Sequence, residues 1–493
     1  MVFSSLAFLF VFMPIIFLLY CVCANDHLRN ALLIISSLFF YAYGEPIAVF
    51  IMLISIFLNY LFGLMCSCSR FVRLTGLIAA VIVNIGLLFV FKYAHFFLVS
   101  FGIDDNMFNV ALPIGISFFT FQGLSYVIDV YRDKSLVQKN PFLVMLYISF
   151  FPQLIAGPIV KYHDIKEQLR HREFNIDRIE SGIQRFIWGL GKKVLIAGPM
   201  GLMADSIYSL SYSSIGAASA WIAAVSYMLQ IYYDFSGYSD MAIGLGRIFG
   251  FDFAENFNKP YAAANMQHFW RRWHISLSTW FKEYVYIPLG GNRKGQARTY
   301  INKYIVFMLT GLWHGANWTF ILWGILHGLA LIIEDLVKRL FAKRESGKSQ
   351  SAEVSQEAES SHASEASLEP TASHDSEIHD CVGRLLNVLG HVYTLLFVML
   401  TFIVFRADNL SYAFGMIGRL FGTGGGNATA FSLLTPTYIM AFVAAVIFAS
   451  RIPDMVIEKL HAPTLRILSV LVYVAGIVSL ISGGYNPFIY FRF

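Results

Sequence analysis

Charged residues are scarce in this chain. Asp, Glu, Lys and Arg make up 14% of its 493 residues, whereas hydrophobic residues make up 57%. Soluble globular proteins carry about 25% charged residues, so this chain lacks the polar surface that a water-exposed fold needs. The net charge of +5 is small, and the basic residues border apolar runs, as the positive-inside rule expects. The composition therefore excludes a soluble fold and gives no support for nucleic-acid binding.

Cysteine is also rare, and several common catalytic motifs are missing. The five cysteines lie at the ends of apolar runs or in a polar segment, and neither C-x-C pair has a second pair or histidines at ligand spacing, so we predict no metal site; they are Cys21, Cys23, Cys66, Cys68 and Cys381. The chain contains no phosphate-binding loop, no G-x-S-x-G and no HExxH. An ATPase, a serine hydrolase and a zinc protease therefore have no positive support.

What the chain has instead is long apolar runs. A helix of about 20 apolar residues crosses the hydrocarbon core of a bilayer, and five runs reach or nearly reach that length: 2–23, 47–65, 74–92, 432–450 and 464–482. The first run has no basic residue before it and is followed by similar runs, so we interpret it as a retained span rather than a cleaved signal peptide. The sequence predicts an all-α, polytopic membrane protein.

The short links between the first spans predict their orientation. Arg29 lies between the first two spans, and Arg70 and Arg73 follow the third, whereas the turn at 44–46 has no basic residue. Lys and Arg accumulate on the cytoplasmic side. The N-terminus and residues 102–108 are therefore predicted to lie outside.

Composition divides the chain into four parts. N-terminal spans occupy 1–110, and a core over 111–341 has shorter apolar stretches interrupted by Pro, Gly and charges. Interrupted backbone at membrane depth persists only where it is buried in protein or lines a cavity, so the site is sought there, although hairpins that merely pack are an alternative. Residues 342–380 are polar and acidic and are predicted to be a disordered cytoplasmic linker, with solvated His362, His374 and His379. Further spans occupy 381–493.

The stretch 256–294 mixes aromatic and basic side chains. Such a mixture favours the membrane–water interface, and as a continuous helix it would place Trp270, Trp273, His274 and Leu277 on one face. Two interpretations remain open at this point: part of a catalytic site, or an amphipathic interfacial helix without chemistry.

His314 lies in the motif LWHGANW, between two apolar runs. A buried imidazole needs partners for its ring nitrogens, so His314 either takes part in chemistry or bonds a neighbouring helix. Histidine suits proton transfer because its ordinary pKa is about 6.5. For His327 we favour packing, and for Asp234 and Asp240 a structural role, in capping and at a helix break.

Ordered motifs along nearly the whole chain outside 342–380 resemble the membrane-bound O-acyltransferases of the bacterial alginate O-acetylation branch. They are FFPQLIAGPI (150–159), YYDFSGYSDMAIG (232–244), NFNKPY (256–261), FWRRWHISLSTW (269–280), YIPLGGN (286–292), LWHGANW (312–318) and NPFIYFRF (486–493). The resemblance implies a ring of about 10–12 transmembrane helices with re-entrant and interfacial helices around a central funnel. It also implies that His314 is the catalytic histidine and that His274 occupies the family's second polar position.

The resemblance further implies a reaction and a setting. The donor would be a cytoplasmic thioester such as acetyl-CoA, with no tightly bound cofactor, and the protein would lie in the bacterial inner membrane. An extracytoplasmic partner of the SGNH type would complete delivery to a polysaccharide. The candidate donor- or substrate-binding residues are the cations Lys259, Arg271, Arg272, Lys282 and Arg293, which we expect to attract the donor's phosphates, together with Trp270, Trp273, Trp313 and Asn317.

Three alternatives remain open on the sequence. The first is D-alanyl transfer toward teichoic acids from a carrier protein. The second is a transporter, which would need ionisable groups within several spans, and those are sparse. The third is a scaffold for a polysaccharide-secretion complex, which gives no reason for two histidines in separate aromatic settings.

Overall fold

The fold was obtained as a computed structural model, which describes residues 1–103, 111–359, 372–422, 424–485 and 489. Within those ranges the regular structure is helical, and the only β pairing is an isolated bridge between Ile215 and Gly426. The predicted all-α fold is confirmed. Part of the segment predicted to lie outside, 104–108, falls beyond the described ranges, as do most residues of the C-terminal motif.

Five helices form the N-terminal part of the chain and pack against the helices that follow them in the core. A π-helical turn, Phe8–Phe12, runs into α1, and a second one, Phe89–Tyr93, joins α4 to α5. The helices are α1 (Met13–Val22), α2 (Asp26–Ala42), α3 (Ala48–Cys66), α4 (Arg70–Leu88) and α5 (Ala94–Ser100).

The middle of the chain consists of short helices and one long central helix. The short ones are α6 (Ile116–Arg132), α7 (Pro141–Ser149), α8 (Phe151–Leu154), α9 (Tyr162–Ile165), α10 (Ile176–Gly191) and α11 (Gly198–Tyr208). The central helix is α12 (Ala217–Ile248), which is largely buried along its length. After it come α13 (Met266–Trp270), α14 (Ile275–Phe281) and α15 (Gln296–His314).

The remaining helices complete the bundle. They are α16 (Trp318–Glu359), α17 (Ala372–Arg406), α18 (Leu410–Phe421), α19 (Ala428–Ser432), α20 (Pro436–Ala449), α21 (Ile452–Ile457) and α22 (Ala462–Ile481). Aromatic and aliphatic side chains from both halves of the chain form two large buried clusters, which meet near α12.

Five segments among the described residues are long and apolar enough to cross a membrane. They are Ala48–Cys66, Arg70–Ser100, Trp318–Leu340, Gly383–Arg406 and Ala462–Ile481, and shorter apolar helices occupy Phe8–Val22 and Pro436–Ala449. Each of the five predicted runs coincides with one of these seven segments. The other two segments lie where the sequence has an apolar run at 318–333 and predicts further spans over 381–493.

Asparagine defines where many helices begin. The side chain of the N-cap residue accepts a hydrogen bond from a backbone N–H of the first turn, which otherwise has no partner within the helix. Five helices share this arrangement, with caps at Asn25, Asn140, Asn175, Asn265 and Asn409. These starts can be recognised in sequence, since each Asn stands directly before a helical pattern.

The segment 342–380 was predicted to be disordered, but both of its ends are helical. Helix α16 continues to Glu359 and α17 begins at Ala372, so most of the segment is helical, while 360–371 lies outside the described residues. The prediction of disorder was based on the lack of apolar side chains to bury. Burial is a separate matter from helix propensity, however, and Ala, Glu, Gln and Lys are strong helix formers.

Ion pairs join α10 and the π-helical turn Lys192–Ala197 that follows it to the central helix α12. The buried carboxylate of Asp240 lies 2.5 Å from both Arg185 and Lys192, and Arg185 also pairs with Glu255. Asp234 pairs with Lys193 and accepts the backbone N–H of Ile489 at 2.8 Å. These contacts agree with the structural role favoured for Asp234 and Asp240. The expected helix break is wrong, because α12 runs unbroken through both positions.

A second charged cluster lies between α6, α9 and the π-helical turn Lys282–Tyr286. His163 lies 2.8 Å from Asp129 and 3.2 Å from Asp164, and Tyr284 donates to Asp129 at 2.8 Å. Lys161 pairs with Glu283 at 2.9 Å. Hydrogen bonds to Asp129 and then to Asp164 raise the pKa of His163 to about 10.

This shift predicts a pH-dependent stability. The folded pKa of His163 lies above the ordinary value, so protonated His163 stabilises the fold fully below about pH 6.5. That contribution is lost as the pH rises toward 10. Because the side chain is 37% exposed, solvent screening limits it to about 1 kcal/mol. We expect His163→Gln to flatten the fall in melting temperature between pH 6.5 and 10, with the exposed His268→Gln as control. An unchanged slope in His163→Gln would contradict the assignment.

Candidate active site

His314 is the last residue of α15 and stands at a tight junction between two helices. Gly311 of α15 and Gly324 of α16 face each other, and a Cβ on Gly311 would lie 2.4 Å from the carbonyl oxygen of Phe320. Any side chain on Gly311 would clash, so only glycine permits the two helices to approach so closely here. Small residues permit close approach at other membrane helix contacts in the same way. The junction places His314 against the start of α16.

Two side chains from the π-helical turn Phe89–Tyr93 hold the end of α15. Lys92 Nζ donates to the carbonyl oxygens of Trp313 at 2.5 Å and His314 at 3.3 Å. The Tyr93 hydroxyl donates to the carbonyl oxygen of Leu312 at 3.0 Å. Carbonyls in the last turn of a helix have no partner within the helix, and here three consecutive ones are satisfied by a neighbouring span.

The His314 ring is enclosed by aromatic side chains. Its centroid lies 4.9 Å from that of Trp313, 5.2 Å from Trp323 and 5.0 Å from Phe405, and the residue is 8% exposed. The ring is therefore largely shielded, and the surface that it does present opens onto cavities inside the bundle.

His274 approaches the same region from a break between two short helices. α13 ends at Trp270 and α14 begins at Ile275, and His274 between them has φ +44°. A non-glycine residue in this left-handed region costs about 1 kcal/mol or more, and such residues cluster at functional sites. The predicted continuous helix with Trp270, Trp273, His274 and Leu277 on one face is therefore wrong.

Asn256 holds His274 in place. Its side-chain oxygen lies 3.1 Å from His274 Nδ1 and accepts the Ser276 hydroxyl at 2.8 Å, while its amide nitrogen donates to Ser239 at 3.0 Å. With Nδ1 as the donor, the lone pair of the neutral imidazole is on Nε2. The His274 ring centroid lies 5.7 Å from that of Trp313, so both histidines contact the same indole.

Three cavities surround these groups. The first, of about 320 Å³, is lined by His314, Lys92, Trp313, Ile155 and the segment 112–118. The second has about 10 Å³, room for about one water molecule, and lies between His314, Trp273 and Phe405. The third, of about 610 Å³, is lined by Asn317, Phe405 and the Arg406–Asp205 ion pair. His314 borders the first two cavities. Phe405, which contacts the His314 ring, lines the third.

The five predicted donor-binding cations do not gather at His314. Lys259 pairs with Asp454, and Arg272 donates to the carbonyl oxygen of Asn258 at 3.4 Å, while Arg271, Lys282 and Arg293 are exposed. The described residues that line the three cavities include none of the five. Their role in binding a donor remains a prediction about the protein surface.

Two of the four predicted uncharged residues, Trp270 and Asn317, make hydrogen bonds with a structural role. Trp270 Nε1 donates to Nδ1 of His327 at 3.3 Å, and His327 Nε2 lies 3.1 Å from the Thr401 hydroxyl, which agrees with the packing role favoured for His327. Asn317 caps α16 by accepting the N–H of Thr319. Trp273 and Trp313, by contrast, do line cavities that His314 borders.

The sequence interpretation missed Lys92 and Asn256 as residues of the site. A lysine at the end of an otherwise apolar run, 74–92, is a signal, because charge in a bilayer is costly and so marks function. Asn256 carries no such signal, since its role arises from contacts with residues distant in sequence.

Comparison with known proteins identifies the family. A sequence model described as MBOAT, the membrane-bound O-acyltransferase family, matches residues 117–353. The probable alginate O-acetylase of Pseudomonas putida is 35% identical over the full length of both chains. The chain belongs to the membrane-bound O-acyltransferase family. The predicted resemblance is confirmed, and the protein is an O-acyltransferase and a multi-pass membrane protein.

Other membrane-bound O-acyltransferase relatives show which substrates occur among similar proteins. The probable alginate O-acetylase of Pseudomonas aeruginosa is 37% identical over 92% of this chain and 82% of its own length. A peptidoglycan O-acetyltransferase of Helicobacter pylori is 39% identical over 68% of this chain and 70% of its own. A teichoic acid D-alanyltransferase of Bacillus subtilis matches at 30% over 45% of this chain.

Proposed function

We propose that this protein transfers acetyl groups from a cytoplasmic thioester, acetyl-CoA, for O-acetylation of an exported polysaccharide such as alginate. The observation that carries the proposal is the position of His314, at the end of α15 on the wall of a 320 Å³ cavity beside Lys92. Acetylases of polysaccharides among the relatives that match the full chain support the acetyl group and the class of acceptor.

In this proposal His314 is the general base. It takes the proton of an acceptor hydroxyl as the oxygen attacks the thioester carbonyl, a C–O bond forms, and the C–S bond then breaks. The proton passes from His314 to the departing thiolate, so the imidazole returns to its starting state. His274, held by Asn256, orients the acceptor or stabilises the developing oxyanion.

The proposal also includes the membrane in which the protein lies and the partner that receives the acetyl group. We place the protein in the bacterial inner membrane, with the acetyl group passing from the cytoplasmic side to an extracytoplasmic partner of the SGNH type. That partner delivers it to the polysaccharide. The donor is a substrate that is exchanged in every cycle, so no tightly bound cofactor is needed.

The donor is tested with purified protein in proteoliposomes. Acetyl-CoA is supplied on one side, and the SGNH-type partner with de-O-acetylated alginate oligosaccharides on the other. We expect free CoA thiol to appear at a rate that depends on the partner and on the oligosaccharide, and labelled acetyl to reach the sugar. The matched control supplies D-alanyl thioester on its carrier protein. Consumption of that donor and not of acetyl-CoA would replace the proposal with D-alanyl transfer.

A further inference from the structure

Lys92 is a lysine within the membrane span Arg70–Ser100. A charged side chain within a bilayer is costly, so such residues mark functional sites by default. The Lys92 ammonium points toward α15, where it bonds the carbonyl oxygens of Trp313 and His314. It also lies 5.9 Å from the centroid of the Trp313 ring. Its contacts are thus concentrated on the residue predicted to be catalytic and on that residue's neighbour.

The C-terminus of a helix is suited to such a cation. The exposed carbonyls of the last turn carry partial negative charge, which a Lys side chain stabilises. Tyr93 satisfies the preceding carbonyl, that of Leu312, from the same π-helical turn. Such turns occur frequently at functional sites, and this one brings both side chains of adjacent residues to α15.

The same ammonium lines the cavity onto which His314 opens. The segment 112–118, Ile155 and Trp313 also line this cavity. The position of the imidazole on the cavity wall depends on where α15 ends. The end of α15 is held by two contacts: the packing of Gly311 against Gly324 and the hydrogen bonds from Lys92.

We propose that Lys92 is a positioning residue for His314, which fixes the last turn of α15 so that the imidazole faces the cavity in a productive orientation. The inference rests on the proposed general-base role of His314. It differs from a purely structural account, in which the lysine would anchor its own span to α15 and its loss would lower stability without altering the turnover of the folded protein.

The kinetic test compares Lys92→Met, Lys92→Arg and the exposed surface control Lys459→Met. A displacement of about 1 Å costs about 100-fold in rate, so we expect Lys92→Met to lower kcat by about that factor with little change in KM for acetyl-CoA. Lys92→Arg, which keeps the charge and the donors, should recover at least about tenfold of that loss. Lys459→Met should match the wild type. A wild-type kcat per folded molecule in Lys92→Met would overturn the proposal.

A second variant covers the case in which Lys92→Met fails to fold. Lys92→Ala leaves room next to the cavity for a small cation, and we expect ethylammonium to restore turnover in proportion to its concentration while ethanol, of similar size but neutral, does not. Equal effects of both compounds, or of neither on a folded Lys92→Ala protein, would overturn the role of the ammonium.

A readout without turnover separates this inference from the proposed function. Hydrogen–deuterium exchange of the amides over 310–318 should be faster in Lys92→Met than in the wild type and in Lys92→Arg. If wild-type protein shows this protection but transfers no acetyl group, the proposed function fails and the contact stands. If the wild type is active and exchange is unchanged in Lys92→Met, the positioning role fails alone.

Discussion

His314→Ala is expected to lower the turnover of acetyl-CoA by about 10²–10⁴-fold, the usual contribution of a positioned general base. The loss should appear in kcat, because the imidazole acts on the proton that moves during the reaction and the thioester does not depend on it for binding. The measurement is acceptor-dependent release of CoA thiol from purified protein in proteoliposomes, per folded molecule.

A folding check and a control variant distinguish a loss of catalysis from a loss of structure. The variant should insert and elute as the wild type does, since the ring borders two cavities and its backbone is held independently by Lys92. His268→Ala is the matched control, because His268 is an exposed histidine on α13, and it should retain full activity. A folded His314→Ala protein that turns over at the wild-type rate would remove the base assignment.

The second large effect concerns stability. Asp240→Ala is expected to lower the free energy of unfolding by about 3 kcal/mol, because removing one partner of a buried ion pair leaves its counter-charge uncompensated. Asp240 is buried and bonds Lys192 and Arg185 of the adjoining segment, and both cations are about 28% exposed. That partial exposure sets the effect at the lower end of the range of about 3–5 kcal/mol known for buried pairs.

The measurement is the melting temperature and the denaturant midpoint of the protein in detergent. Asp252→Ala provides the control, since Asp252 pairs with Arg178 at 57% exposure and should contribute about 1 kcal/mol or less. If both variants melted alike, the Asp240 pairs would not be holding α10 against α12. The double variant Asp240→Leu with Lys192→Met should recover part of the loss, because it removes a carboxylate and a cation together.

Parts of the site were predictable because their signals are local. His314 stands out as a lone imidazole between apolar runs, and the motifs around it carried the family resemblance that the comparisons confirm. The face assigned to Trp270, Trp273 and His274 was wrong for a physical reason. Helical periodicity describes a continuous helix, and a left-handed residue at His274 ends that continuity without leaving a glycine in the sequence as a marker.

The predicted cations also show that position in the sequence does not determine which residues meet in the fold. Lys259 and Arg272 were predicted to attract the donor's phosphates because both lie in the basic stretch 256–294, but their distances to an active site depend on how loops fold back. The structure pairs Lys259 with Asp454, 195 residues away. It also brings Lys92 to His314 across 222 residues. The lysine stands out in its apolar run, but no local pattern indicates which residue it contacts.

The sequence by itself determined that the chain is helical, crosses a membrane many times and belongs with the O-acyltransferases, because apolar run length, charge scarcity and ordered motifs are properties of contiguous residues. Only the tertiary structure decided which side chains meet His314. Polar groups buried in a bilayer need partners, and which partner lies nearest in space is set by helix packing rather than by position along the chain.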